Sequence, residues 1–341
     1  METSSFKNIA RNTCGVVAAL GLGLGCFTAC VFPRQNPATF PSVSASGDMV
    51  LAPDDDNAEG AKEQQVVLYF PLGNEPFLAA EDRDIKIPEG STPEKEILRK
   101  LIQGPLIKDM LVVIPNKTQV VNVEASSNHE IFYITLSPDF LAPMPLDVPT
   151  NWNTVETLEK TVLLNRRLAV YSMVNSITEM GKYDRVQFLI DDRDLGATRP
   201  TWADMGFTDV DQPNLPISVL TRDDSLILTP INTVSAFFES FANKQWSRAE
   251  GYLTLDTNTF SATNTMADSM KAYDATLVDG TVTGSTISNK GKCAVVTVNY
   301  TLRAKAGNEV QRTTALMRLT RENGIWKIHY SSIQRMLTAL D

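Results

Sequence analysis

The amino-acid sequence predicts an α+β protein that contains two folded regions in succession. In the first region, short apolar runs typical of strands surround two stretches whose apolar residues recur at three- and four-residue spacing, as in helices. In the second region, helical stretches come first and four long runs of alternating apolar residues follow. The chain has 341 residues, 43% of them apolar, which is enough for two cores.

The first region is expected to follow the order β-(β)-α-β-β-α-β. Its first helix should begin at Thr92-Pro93, because threonine can cap free amides and proline suits the first turn. Gly104-Pro105 should end that helix, and a longer helix is expected over 154–180. The predicted strands are 66–70, 83–87, 118–124, 130–136 and 186–190. This order predicts helices packed on one face of a sheet.

The second region is expected to open with a helix from Ile231 and a short helix over 246–253. Glycine- and asparagine-containing turns separate the strand candidates. These strands are 275–288, 293–304, 310–320 and 325–333. Helices followed by a curled antiparallel sheet predict an α+β cone. Prolines punctuate the stretch between the regions, which we interpret as a structured linker between two independent cores.

The N-terminus has the pattern of a signal peptide. Lys7 and Arg11 supply positive charge, and residues 13–29 carry no charged side chain. At about 17 residues and rich in glycine, this run is at the short limit for a membrane span, so it favours a cleaved signal peptide over a short transmembrane helix. Phe27-Thr28-Ala29-Cys30 resembles a bacterial lipobox, which predicts acylation of Cys30, with Cys26 as the alternative site.

The predicted organisation has five segments. These are a lipoprotein signal peptide at 1–30, a flexible acidic and proline-rich tether at 31–64, the first domain at 65–195, a linker at 196–229 and the second domain at 230–341. Three of the four cysteines lie within the first 30 residues, which excludes a disulfide framework. A net charge of −9 without a basic block argues against nucleic acid as a partner.

Few residues have the types and spacing that catalysis requires. His129 is expected in a turn, and His329 is expected in the last strand, where Asp256 or Asp274 would have to assist it as a general base. We expect no such role for His329. We also expect no metal site in two acidic runs, which are interpreted as solvated: Asp54-Asp55-Asp56 and Asp191-Asp192-Arg193-Asp194.

Two further features are interpreted as structural. Arg166-Arg167 on the long helix is expected to be a solvated face, and Cys293 is expected to be a buried, inert thiol. No phosphate loop, dinucleotide fingerprint or nucleophile elbow occurs in the sequence. We therefore expect no catalytic, cofactor-binding or metal-binding residues.

Six short motifs follow one another along the first domain. The motifs are Val67-Leu68-Tyr69-Phe70, Leu101-Ile102-Gln103-Gly104-Pro105, Val113-Ile114-Pro115, Ile134-Thr135-Leu136-Ser137-Pro138-Asp139-Phe140, Tyr171-Ser172-Met173-Val174-Asn175-Ser176-Ile177-Thr178 and Val186-Gln187-Phe188-Leu189-Ile190-Asp191. In these motifs and their order, the first domain resembles the GerMN domain. GerMN domains occur in spore-formation and germination lipoproteins. The resemblance implies two helices on a small mixed sheet and a non-catalytic domain that assembles with other envelope proteins. The protein that names the family resembles two such domains in tandem, whereas this chain shows one.

The second domain contains three short motifs: Phe237-Phe238-Glu239-Ser240-Phe241, Trp246-Ser247-Arg248-Ala249 and Gly324-Ile325-Trp326-Lys327-Ile328. In these motifs, the second domain is similar to the NTF2-like or cystatin-like superfamily over about 230–337. The similarity implies an α+β cone with a curved antiparallel sheet. Because this fold hosts enzymes, binders and assembly modules, it does not select a function by itself.

These observations predict a non-enzymatic lipoprotein on the extracytoplasmic face of the cell membrane. Acyl chains such as palmitate on its cysteine would hold it there. It would act in protein assembly or interaction with other envelope proteins or cell-wall polymer, in sporulation or germination, without a cofactor. The alternatives are an extracytoplasmic small-molecule binding protein and an NTF2-like enzyme that uses the C-terminal cone.

Overall fold

The computed structural model describes residues 62–340 except 74, 193, 195, 256–264 and 289. These residues belong to one compact unit. The predicted signal peptide, nearly all of the predicted tether, and the candidate residues Cys26, Cys30, Asp54-Asp55-Asp56 and Asp256 lie outside the described residues. No helix in the described part of the chain is long and apolar enough to cross a membrane.

The first domain begins with a hairpin and a capped helix. Strands β1 (Lys62–Pro71) and β2 (Leu78–Ile87) pair in antiparallel fashion, and helix α1 (Pro93–Gln103) follows them. The Thr92 hydroxyl accepts a hydrogen bond from the Lys95 amide at 3.3 Å, as expected for an N-cap. Gly104 ends the helix at a φ of 96°, a left-handed value that favours glycine. Both predicted helix ends are therefore confirmed.

A mixed sheet forms the rest of the first domain. Its strand order is β3-β4-β5-β6, and β7 pairs with β5 outside that path. The strands are β3 (Val120–Ala125), β4 (Ile131–Leu136), β5 (Arg185–Asp192), β6 (Gly196–Thr198) and β7 (Leu220–Thr221). Because β4 and β5 are parallel, the chain needs a crossover, and helix α2 (Glu156–Glu179) supplies it. The prediction of helices on a mixed sheet is confirmed.

The segment 196–229, interpreted from the sequence as a linker, contributes two strands to the mixed sheet of the first domain. Strands β6 and β7 both pair antiparallel with β5. Farther along, the Leu228 amide donates to the Leu78 carbonyl at 2.8 Å, and Ile227 forms a bridge with Leu78. The segment is thus hydrogen-bonded to two strands of the first domain.

The second domain places helices against a five-stranded sheet. Helices α3 (Pro230–Ala242), α4 (Trp246–Gly251) and α5 (Met266–Tyr273) precede its main strands. The sheet order is β8-β12-β11-β10-β9, antiparallel except for the β8–β12 pair. The strands are β8 (Leu253–Thr254), β9 (Thr276–Ile287), β10 (Cys293–Arg303), β11 (Glu309–Glu322) and β12 (Ile325–His329).

Two elements of the second domain differ from the prediction. The strand predicted over 325–333 ends at His329, and helix α6 (Tyr330–Leu337) follows. Tyr330, Ile333 and Leu337 are buried at helical spacing, which places one face of α6 on the core. Helix α5 has no counterpart in the prediction, although Thr265 and Asp268 form a capping box at its start.

Most buried apolar side chains of the two domains form one continuous cluster. It runs from Leu68 and Phe188 in the first domain to Phe237 and Val296 in the second. The sequence predicts an independent core for each domain, whereas in the structure the buried residues of the two domains are in contact with one another. The boundaries drawn at 195 and 230 stay a prediction.

The β11–β12 turn lies close to the backbone of β2 in the first domain. Asn323 and Gly324 have φ values of 48° and 80°, as in the two-residue turn predicted from the sequence. A Cβ atom on Gly324 would lie 2.1 Å from the Ala80 carbonyl oxygen in β2. No side chain fits there without moving the domains apart.

Gly324→Ala is therefore expected to destabilise the protein more than Gly307→Ala. Gly307 has a similar left-handed φ of 93°, but a Cβ atom placed there would have no described neighbour within 4 Å, so it is a matched control. Urea denaturation should show an additional loss of about 1–3 kcal/mol for Gly324→Ala, because its methyl group overpacks the junction. Equal losses for the two variants would contradict the close packing.

Candidate functional site

A cleft of about 580 Å³ lies where the two domains meet. We call it the junction cleft, and define it by its lining residues: Leu72, Gly73, Glu75, Asp109, Ser247, Arg248, Gly251, Tyr252 and Lys327. The first four come from the β1–β2 turn and the loop after α1. The others come from α4, the residue after it and β12. Ligand sites commonly occur at such domain interfaces and in this range of volumes.

An ion pair between the domains forms one wall of the junction cleft. The Arg248 guanidinium donates to Glu75 through Nε at 2.9 and 3.1 Å and through Nη2 at 2.8 Å. Nη1 donates to Gln245 at 3.1 Å and lies 3.3 Å from Glu239. The hydrogen bonds to Glu75 raise the pKa of Arg248. Because both partners are more than 70% buried by side-chain area, this pair is shielded from solvent.

Tyr252 lines the junction cleft beside this ion pair. Its side chain is buried, and its hydroxyl makes no hydrogen bond of good geometry among the described atoms. Burial raises the pKa of Tyr252, and the nearby Glu75 carboxylate raises it further. The hydroxyl therefore stays protonated at neutral pH and contributes a neutral surface beside the ion pair.

Lys327 and Asp109 supply the other charges of the junction cleft. The Lys327 ammonium donates to the Gly251 carbonyl at the end of α4. Burial lowers the pKa of Lys327, while Asp109 and Glu322 act in the opposite direction. Two acidic and two basic side chains thus line the cleft, so its charges balance. Neither histidine lines it. Charged groups of both signs allow the cleft to bind a ligand that carries complementary charges.

A second groove of about 360 Å³ adjoins the junction cleft and shares Gly73 and Glu75 with it. We call it the apolar groove. Apart from the two shared residues, its lining consists of Leu111, Val112, Val113, Pro145, Thr161, Leu164 and Asn165. Leu111 and Val112 are 37% and 44% exposed, so apolar surface is open to solvent directly beside the charged cleft.

His129, His329 and Asp274, three of the candidate general-base residues, follow or end different elements of the described structure. His129 is exposed in the β3–β4 turn with a φ of 56°, as predicted for a turn. His329 is half-buried at the end of β12, between the buried Ile328 and Tyr330. The Asp274 carboxylate pairs with Lys305 at 3.2 Å and Lys244 at 3.6 Å.

The prediction of a solvated face at Arg166-Arg167 is wrong. Arg166 donates to the carbonyls of Leu141 at 2.5 Å, Ala142 at 3.2 Å and Asp204 at 3.2 Å, and burial lowers its pKa. Arg167 pairs with Asp209 at 3.3 Å and lies 5.2 Å from the centre of the Phe207 ring. Both arginines therefore fasten loops to α2, because their long side chains reach acceptors that are distant in sequence.

The prediction that Cys293 is buried is also wrong. Its thiol is exposed at the start of β10. Successive strand residues point to opposite faces, and the buried face of β10 begins with Ala294 and continues through Val296 and Val298. Cys293 lies on the outer face with Val295.

In the acidic run, Asp191 and Asp192 form the end of β5, and Asp194 lies in a turn. Asp191 and Asp192 pair with Ala197 and Gly196, and the Asp194 amide donates to the Asp192 carboxylate at 2.8 Å. Across the described residues, no group of three or more histidine, cysteine or acidic side chains is arranged to hold a metal ion.

The family of the first domain is identified by comparison with known families. Residues 67–196 match the family model described as "Germane: Sporulation and spore germination". The matched segment is thus a Germane domain, and the resemblance to GerMN domains inferred from six motifs is confirmed. The family's description associates this domain with sporulation and spore germination.

Solved structures give weaker similarities. The tandem GerMN domains of the sporulation protein GerM from Bacillus subtilis match at 14% identity and a TM-score of 0.31, covering 78% of this chain and 61% of that one. A SEC-C motif containing protein from Rhodopseudomonas palustris matches at 17% identity and a TM-score of 0.25, covering 30% of this chain and 76% of that one. No curated protein shows significant similarity to the chain.

The Glu75–Arg248 pair is expected to contribute measurably to stability. In a double-mutant cycle with Glu75→Gln and Arg248→Met, denaturation should give a coupling free energy of about 1–3 kcal/mol, because the pair is largely buried. The exposed pair Arg303–Glu309 is the control, for which the coupling should be at most about 1 kcal/mol. Coupling no larger than that of the control would show that the ion pair does not join the domains.

Proposed function

We propose that this protein is a lipid-anchored, non-catalytic envelope protein that acts by binding other envelope components during sporulation or germination. The match of residues 67–196 to the Germane family carries the proposal. The Germane domain and the second domain share one core, so they would meet partners as a single compact unit.

The anchoring part of the proposal depends on the N-terminal sequence. A charged start, an uncharged run and Phe27-Thr28-Ala29-Cys30 are together typical of a lipoprotein. Several acyl chains on one cysteine would hold the protein stably at a membrane. With about 34 residues between Cys30 and the first domain, the tether would typically reach roughly 30 Å. The domains would then work close to the membrane surface.

Two buried tyrosines with strongly raised pKa values take part in structural contacts outside the junction cleft. Burial raises the pKa of Tyr69 to about 12, and its hydroxyl bonds Arg222 and Glu179, each at 2.9 Å. Burial also raises the pKa of Tyr183 to about 12, and its hydroxyl donates to Glu94 at 3.1 Å. These groups hold elements together and do not line the junction cleft.

We retain the NTF2-like interpretation of the second domain as part of the proposal, in a binding role. An enzyme of this fold would need polar side chains converging inside the cone. The side chains of β10 that face the core are Ala294, Val296, Val298, Tyr300 and Leu302, and all are buried. This apolar interior favours a packed core. The remaining alternative, small-molecule binding, is favoured by the junction cleft.

Cys30→Ser is expected to release the mature protein from membranes or to block signal cleavage, because it removes the acylated thiol. Membrane fractionation combined with mass spectrometry of the N-terminal peptide measures both effects. Cys26→Ser is the matched control and should leave acylation intact. Acylation that persists in Cys30→Ser but not in Cys26→Ser would move the site to Cys26, and no effect of either change would contradict lipid anchoring.

His329→Gln is expected to leave the cellular role intact, because no proton transfer is assigned to this residue. The readout is the frequency of sporulation and germination relative to the wild type and to a strain lacking the protein. Thermal melting and recovery of partners from detergent-solubilised membranes are the controls. A lost phenotype with unchanged fold and partner recovery would make the second domain a chemical site.

A further inference from the structure

The junction cleft has binding capacity that the protein itself does not use. An ammonium group can donate three hydrogen bonds, and that of Lys327 makes one described bond, to the Gly251 carbonyl. The Asp109 side chain is exposed and accepts no described hydrogen bond. Asp109 influences Lys327 electrostatically, yet the two do not form an ion pair among the described contacts. They leave space for a ligand between opposite charges.

The remaining charges of the junction cleft are already satisfied. All three described donor contacts from Arg248 to Glu75 lie within 3.1 Å. A ligand with only one charge would satisfy either Lys327 or Asp109 and be repelled by the other. A ligand that carries an ammonium and a carboxylate can satisfy both.

A ligand in the junction cleft that also extends into the adjoining apolar groove would need an apolar part there. Leu111 and Val112 expose hydrocarbon beside Gly73, where the groove and the cleft meet. A short peptide with free termini combines the two properties, because its termini are oppositely charged and its side chains can be apolar.

We propose that the junction cleft and the apolar groove bind a short zwitterionic peptide. Its charged termini lie between Asp109 and Lys327, and an apolar side chain occupies the groove beside Leu111 and Val112. This inference concerns binding by the purified protein. It can fail while the proposed cellular function stands, and the reverse also holds.

Isothermal titration calorimetry of the full-length protein in lipid nanodiscs tests the inference. The probe is the tripeptide Ala-Leu-Ala, compared with the same tripeptide acetylated at its N-terminus and amidated at its C-terminus. The free tripeptide should bind at millimolar affinity or better, and capping should weaken binding at least tenfold, because both charges are removed. No binding of the free tripeptide, or equal binding of the capped form, would overturn the proposal.

Substitutions of the two charged residues test whether the tripeptide binds in the junction cleft. Lys327→Met and Asp109→Asn should each weaken binding of Ala-Leu-Ala about tenfold. Lys305→Met and Asp184→Asn are exposed controls that should bind as the wild type does. If Lys327→Met lowers the melting temperature, Asp109→Asn still decides the outcome, because Asp109 lies in an exposed loop. Unchanged binding by a folded Asp109→Asn variant would place the peptide elsewhere.

The apolar groove has its own test. Val112→Thr keeps the side-chain shape but replaces one methyl group with a hydroxyl, so it should weaken binding of Ala-Leu-Ala more than that of Ala-Ala-Ala. An equal effect on the two tripeptides would remove the groove from the proposal.

Discussion

The contact of the β11–β12 turn with β2 is the constraint on which the rest of this structure depends. Gly324 approaches the Ala80 carbonyl so closely that only a residue without a side chain fits. Arg248 in α4 also pairs with Glu75 in the β1–β2 turn. Because these contacts hold the domains together, they also create the junction cleft, which neither domain lines alone.

Three arginines explain why the segment 196–229 is ordered despite its prolines. Arg166 and Arg167 on α2 bond Asp204 and Asp209, while Arg222 donates to the Tyr69 hydroxyl and lies over its ring. A planar guanidinium can reach a carbonyl, a carboxylate or a ring face, so it suits such connections. These contacts fasten the segment to the first domain, and the segment leads directly into the junction.

Local signals in the sequence predict most of the secondary structure. Thr92-Pro93, Gly104 and Asn323-Gly324 each act through their own backbone or nearest neighbours, so their effects can be inferred without tertiary structure. Helix α6 escaped prediction because Trp326, Ile328 and Tyr330 continue an alternating pattern up to the residue where the helix begins. Exposure of Cys293 depends on which face of β10 packs against α3, which alternation alone does not decide.

The junction cleft could not be predicted from the sequence, because its residues act only in combination. Glu75 and Arg248 are 173 residues apart, and Lys327 comes from a third part of the chain. Arg248 lies in a motif that indicates a helix, but nothing in that motif indicates its partner. Family motifs, by contrast, occur within single elements, which is why they identify the Germane domain and not the cleft.

Hydrogen exchange measured by mass spectrometry in increasing urea tests most directly whether the two domains form one unit. Peptides from β4 in the first domain and β10 in the second report on each core separately. If one continuous core and the Gly324 contact join the domains, both peptides lose protection at the same urea concentration. Loss of protection in one core while the other stays protected would contradict the account.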